Sequence, residues 1–259
     1  MTTLTKTLTA LLLFQTLLFA QLNNAISEGK QLIEKGYSQF DESIMLKARS
    51  IFERIRIADN SNETAAYFLA YCDYRLSVFY MQNKNDDKFD AVSEESDKIC
   101  DELLEKNPEN AEVLALQGAL YGIMISNNWT NAVTLGPKSS GILSKALEIA
   151  PENPRVLLQN GISKFNTPGF FGGDKDKAIQ FFEKAIEIYK TVSEVDSLLP
   201  GWGFEESFAW LGIAYLNKGD KEKARESYSQ ALKINPEFGW VKYKLLPALD
   251  QNNREETKK

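Results

Sequence analysis

Histidine is absent from the 259 residues, and cysteine occurs only at Cys72 and Cys100. The first absence removes the usual general base, the commonest metal ligand and every Ser-His or Cys-His pair. The second rules out a four-sulfur zinc site. Basic runs are missing as well. The chain sets 30 Lys and Arg against 36 Asp and Glu, a net charge of −6, and no Lys/Arg cluster with interleaved aromatics offers a surface for phosphates, which excludes nucleic acid as a partner. A long apolar segment is also lacking. The N-terminal run Ala10–Ala20 (ALLLFQTLLFA) is too short to span a hydrocarbon core of about 30 Å, which takes roughly 20 helical residues. No enzyme, cofactor or metal site is therefore expected.

What is present begins with that run. Lys6 precedes it and no acidic residue occurs before Glu28, which is the pattern of a secretory signal with cleavage expected after Ala20. Residues 1–20 then form the signal, 21–250 the folded domain and 251–259 a polar tail. Cleavage removes Lys6 alone, leaving 29 basic and 36 acidic residues and a net charge of −7. An exported location, periplasmic or extracellular, follows, with no stable membrane insertion once the signal is gone. In an oxidising compartment Cys72 and Cys100 either form one disulfide between packed helices or serve as two small core residues.

The main signal is internal repetition. In Glu205–Phe238 (EESFAWLGIAYLNKGDKEKARESYSQALKINPEF), Phe208, Leu211, Gly212 and Tyr215 recur at three- and four-residue steps. Ala224, Tyr228, Ala231 and Leu232 do the same further on. Each set makes one apolar stripe of a helix. Gly219-Asp220 is the turn between the two helices, Gly212 and Ala224 let their axes approach, and Pro236 ends the second. Second-helix echoes occur at Ala178, Phe182 and Ala185, at Ala48 and Phe52, in ALEIAP (Ala146–Pro151) and in LLEKNP ending at Pro108. First helices are expected at Leu22–Phe40, Glu63–Met81, Ala111–Ser126, Asn153–Phe165 and from about Glu205. A capping helix over Gly239–Leu249, broken at Pro247, completes an all-α solenoid of about five hairpins.

The unit at Glu205–Phe238 resembles the tetratricopeptide repeat (TPR). The chain as a whole is similar to a group of exported bacterial TPR proteins through DYRL (Asp73–Leu76), LGPKSSG (Leu135–Gly141), NPR (Asn153–Arg155), NTPGFFGGDK (Asn166–Lys175) and the closing WVKYKLLPAL. That resemblance implies the solenoid and export, and no assigned reaction.

The departures from the repeat carry the functional reading. Extra residues fall between first and second helices around NKNDDKFD, in SNNWTNAVTLGPKSSG and in NTPGFFGG, so three enlarged loops are expected to cluster on one solenoid edge. The glycines at Gly169–Gly173 and Gly136–Gly141 lack the spacing and the Lys-Ser/Thr of a phosphate loop. Phe170 and Phe171 are expected to close over their hairpin. Trp202 in the Gly-Trp-Gly loop of VDSLLPGWGF is expected to be a structural plug. Tyr67, Tyr71, Tyr74 and Arg75 recur on one face of a first helix, the side that lines the concave groove in TPR folds, and are the principal binding candidates; the alternative is burial between hairpins. Asn127, Trp129 and Arg155, read as flanking the inserted loops, are secondary candidates. The function expected is an extracytoplasmic scaffold for a protein or peptide partner. A periplasmic small-molecule-binding component of a solute transporter is the alternative, to be told apart by whether the site is an open groove or a closed aromatic pocket.

Overall fold

Asparagine and aspartate side chains start most of the helices. The structure, a computed structural model, describes residues 2–191 and 198–250, with side chains from Ala20 onward; helix is the only regular state among the described residues. The elements are α1 (Thr2–Gln39), α2 (Glu42–Ala58), α3 (Glu63–Gln82), α4 (Asp86–Lys106), α5 (Ala111–Asn127), α6 (Ala132–Ile149), α7 (Pro154–Asn166), α8 (Lys175–Thr191), α9 (Phe204–Asn217) and α10 (Lys221–Ile234). Asp41, Asn62, Asn85, Asn110, Asn153 and Asp220 each accept a hydrogen bond from a backbone N–H in the first turn that follows. Such a cap is worth about 1 kcal/mol.

The ten helices pair as five antiparallel hairpins, and each hairpin packs on the next through both its first and its second helix. The connections between hairpins are nearly identical. Asn62 donates its backbone N–H to Asp59, Asn110 to Asn107 and Asn153 to Ala150, and Phe238 repeats the bond to Asn235 where α10 passes into the C-terminal helix. At the last three a proline follows the stop residue and prevents the preceding helix from continuing. Between α8 and α9 the connection is longer, and its described part is Leu198–Gly203.

Within the hairpins one small-to-large contact recurs. A Cβ added at Gly29, Gly118, Gly161 or Gly212 would lie 2.5 Å from Phe52, 2.6 Å from Leu143, 2.5 Å from Phe182 or 2.4 Å from Tyr228. Each glycine thus seats a large side chain of the partner helix, four residues after a small one that sets the crossing: Ala48, Ser139, Ala178 or Ala224. The second hairpin follows the same register. The Ser96 hydroxyl donates to the Ala70 carbonyl as the Ser139 hydroxyl does to that of Gly118. Where alanine replaces the glycine, the facing knob shrinks to Cys100. Cys72 and Cys100 are both buried and free, so they are core residues and the disulfide is not formed.

The superhelix turns far enough to bring the fifth hairpin back to the first. The Asn235 amide donates to the Ser38 hydroxyl at 2.9 Å, the Phe238 and Tyr37 rings lie 6.2 Å apart, and Gly239 leaves no room for a side chain beside the Ser38 carbonyl.

Three expectations are corrected. The insertion of the second repeat lengthens α3 and α4, leaving only a short turn at Asn83–Asn85. In the third repeat, only a 3-10 turn at Trp129–Asn131 separates α5 from α6, which absorbs Pro137 and the rest of the insertion. Pro247 does not break the last helix. The chain is helical from 239 to 250, with a π turn at Val241–Leu245 just ahead of the proline. The tail at Gln251–Lys259 lies outside the described residues.

If the glycines seat the knobs, Gly161→Ala lowers the unfolding free energy by about 1–3 kcal/mol. It costs clearly less in a Phe182→Leu background. Equal costs in the two backgrounds, measured by urea denaturation, would contradict the assignment.

Candidate functional site

The face of α3 singled out by its tyrosines is the centre of the molecule. Tyr67, Tyr71, Tyr74 and Arg75 are all buried, with Arg75 only 2% exposed. They share the face of α3 that in TPR folds lines the concave groove, but that face is covered, so they form no open recognition surface. Two things fill it. One is the first turn of α9, which carries Glu206; the other is the Leu198–Gly203 segment, which carries Trp202.

Arg75 donates to both carboxylate oxygens of Glu206, at 2.7 and 2.5 Å, and from Nε to the Tyr71 hydroxyl at 2.9 Å. Its guanidinium stacks 3.9 Å from the Tyr37 ring centroid, with Tyr71, Tyr74 and Trp202 also within cation–π range. The Tyr71 hydroxyl donates onward to Glu34, and Tyr37 donates to Glu206. Burial works against the Arg75 charge, and Glu206 with the surrounding hydroxyls more than offsets it, so its pKa lies well above the ordinary value. Glu206 alone contacts the guanidinium, and Glu34 and Glu205 feel its charge without a hydrogen bond to it. Burial, helped by the neighbouring carboxylates and opposed by Arg75, raises Glu34 to about 7; burial also raises Glu205.

Trp202 is buried, as expected of a plug. Its indole stacks on Tyr71 at 5.1 Å and donates to the Tyr67 hydroxyl at 3.1 Å. The segment's own carbonyls are also held. Tyr189 donates to that of Trp202 and Lys30 to that of Leu199, each at 2.5 Å. Gly203, at φ +106°, both turns the chain into α9 and leaves space for Tyr189 and Leu158. The groove thus grips a non-helical piece of chain by two main-chain carbonyls and one aromatic side chain.

The secondary candidates separate. Arg155 sits in the first turn of α7, on the edge opposite the insertions, and forks onto Glu112 of α5, with both Nε contacts at 2.8 Å. That corrects its placement beside the loops and makes it a strut between hairpins. Asn127, half-buried, ends α5 on the insertion edge, and Trp129 follows in the 3-10 turn with 78% exposure. Phe170 and Phe171 do not close over their hairpin. They project from the α7–α8 connection at 93% and 75% exposure.

Sequence reasoning missed Glu34, Tyr37 and Glu206. Tyr37 and Glu34 share a turn of α1, and the Glu205-Glu206 pair beside Gly-Trp-Gly offered the only sequence cue. No group of metal-ligating side chains occurs among the described residues.

Residues 205–238 match the tetratricopeptide repeat family, and so do residues 171–191. No curated protein matches the chain. Among solved structures it is similar to the HusA haemophore from Porphyromonas gingivalis, at 24% identity over 76% of this chain and 92% of that one, with a TM-score of 0.62. It is also similar to a thermophilic TPR protein of Thermus thermophilus, at 16% identity over 85% of this chain and 98% of that one, with a TM-score of 0.59. At these identities the likeness is one of fold. The chain is a TPR-like α-solenoid, an architecture of protein-interaction scaffolds.

Glu34 supplies a pH test. A carboxyl whose folded pKa is raised from 4.5 to about 7 binds its proton more tightly when folded. Its stabilisation is therefore complete below the unfolded pKa and lost as pH rises through 7. Because the side chain keeps some solvent contact, the loss amounts to about 1 kcal/mol. Urea midpoints between pH 5 and 8 should fall with pH, and Glu34→Gln should flatten that slope; an unchanged slope in the variant would show that Glu34 does not titrate in this range.

Proposed function

We propose that this protein is an exported TPR-like scaffold that takes up an extended, aromatic-bearing peptide segment of a partner protein in its concave groove. The observation that carries the reading is the groove's grip on Leu198–Gly203. An aromatic ring between Tyr67 and Tyr71, with carbonyls met by Lys30 and Tyr189, is peptide recognition carried out within one chain. Main-chain contacts of this kind give affinity, and the pocket for a side chain gives specificity. Export is supported by Lys6, the apolar run Ala10–Ala20 and the absence of acidic residues before Glu28.

The alternative, a flat apolar small molecule, draws on the haemophore of similar fold. Haem is held in proteins by histidine, cysteine, methionine or tyrosine; here histidine is absent and both cysteines are buried, which leaves methionine and tyrosine as the ligands such a site would use. The cavities beside α1–α2 and α2–α3, about 610 and 360 Å³, are open and carry no aromatic ring. That is not the closed aromatic pocket a small molecule favours.

The test is complementation. Trp202→Gly should lower stability by about 3–5 kcal/mol. The hexapeptide Leu-Leu-Pro-Gly-Trp-Gly should bind the variant and raise its melting temperature, and should bind the wild-type chain more weakly, because there it competes with Trp202. A folded variant indifferent to the peptide would overturn the reading, and a Soret shift on titrating wild type with haem would favour the alternative. Export is checked separately: the protein isolated from its source should begin at Gln21.

A further inference from the structure

We propose that the edge formed by the α5–α6 and α7–α8 connections is a membrane-docking surface, on which Trp129, Val133, Phe170 and Phe171 dip into the interfacial layer of an anionic lipid bilayer. The inference is independent of the peptide reading.

The placement follows from the hairpin order. The first helices α5 and α7 pack side by side and run in the same direction, about 8–10 Å apart. Their C-terminal ends, and the turns that follow, therefore emerge together on one edge. Each turn is built to point its apolar side chains outward. The Asn128 carboxamide oxygen accepts from the Thr130 backbone and hydroxyl, and Asn131 donates back to the Met124 carbonyl. In the second turn, Phe171 and Gly173 donate to the Pro168 carbonyl and Lys164 reaches the Gly172 carbonyl. Gly172 has φ +89°, and a Cβ at Gly173 would collide with the Thr167 carbonyl. The glycines thus fix the loop that carries Phe170 and Phe171, and the four large apolar side chains are each at least three-quarters exposed. Such a patch on an acidic chain calls for a partner that covers it.

Charge indicates which partner. No acidic residue occurs from Val113 to Leu147, in a chain with 36 of them. Across 127–138 and 164–177 the charged residues are Lys138, Lys164, Lys175 and Lys177 against Asp174 and Asp176. Asp174 caps α8 and Asp176 pairs with Lys218, so an excess of cations surrounds the apolar tips while the whole chain carries −6. Protruding Trp and Phe at the tips, uncharged Asn and Thr beside them and lysines behind them form the layering that suits a bilayer interface. A protein hot spot, by contrast, sits in a packed pocket, whereas these four side chains protrude from turns. No helix among the described residues is long and apolar enough to cross a membrane, so the surface is one of peripheral docking.

The experiment uses the full chain with phosphatidylglycerol and with phosphatidylcholine vesicles. Trp129 is the one strongly exposed tryptophan, since Trp202 is buried and Trp210 and Trp240 are half-buried. The spectrum of wild type minus Trp129→Phe therefore reports its surroundings. The expected result is co-sedimentation with the anionic vesicles, a shift of Trp129 emission to shorter wavelength, and partitioning weakened about tenfold or more in Trp129→Ser/Phe170→Ser/Phe171→Ser with unchanged helicity. Lys175→Gln/Lys177→Gln should reduce the preference for the anionic vesicles. The proposal is overturned if wild type does not partition, if the triple variant partitions equally, in which case the N-terminal apolar run is responsible, or if the edge captures a protein while remaining dark to vesicles.

Discussion

The buried pair between Arg75 and Glu206 is the contact on which the shape of the molecule depends. The two residues are 131 positions apart and belong to the second and fifth hairpins. A repeat protein is ordinarily a one-dimensional stack in which each unit touches only its neighbours. Here a bidentate ion pair inside a cage of Tyr37, Tyr71, Tyr74 and Trp202 ties distant units together. Desolvating two charges is costly, and the attraction offsets the cost only when the geometry is good and the remaining donors are satisfied. Both conditions hold: the Arg75 Nε donates to Tyr71, both of its terminal nitrogens donate to Glu206, and Tyr37 donates to Glu206 as well.

Closing the solenoid has two consequences. The concave side, where an open array would receive a partner, is occupied by the chain's own Leu198–Gly203, so any partner there must compete with Trp202. The outer edges remain available, and the two irregular turns on one of them carry the exposed apolar side chains. The longest inter-hairpin connection is also the one that supplies the plug, through Leu198–Gly203.

The sequence makes the repeats legible because their signal is local. The 3.6-residue period and the prolines that end the second helices place α3, α5, α7 and the start of α9 to within a residue or so. The match of Gly29, Gly118, Gly161 and Gly212 to large knobs follows from the same register. What covers a helix face is not local. The spacing of Tyr67, Tyr71, Tyr74 and Arg75 shows which way they point, but Glu206 and Trp202 come from beyond the range of any periodicity. The place of Arg155 is hidden for a similar reason, since its distance from the loops depends on the direction of α7. The insertion at NTPGFFGG is the loop its sequence implies, whereas those of the second and third repeats extend helices, because neither Pro137 nor the Asn- and Asp-rich stretch near Asn85 forbids longer helices once neighbouring hairpins supply packing. Phe170 and Phe171 were read as inward on hydrophobicity alone, whereas the glycines beside them hold both rings outward.

The central claim, that the Arg75–Glu206 pair closes the solenoid, is tested most directly by a double-mutant cycle on unfolding free energy with Arg75→Met and Glu206→Met. Each single change strands a buried charge and should cost about 3–5 kcal/mol, while the double variant should cost far less than the sum. Strictly additive losses would contradict the account and reduce the pair to two residues that happen to be close.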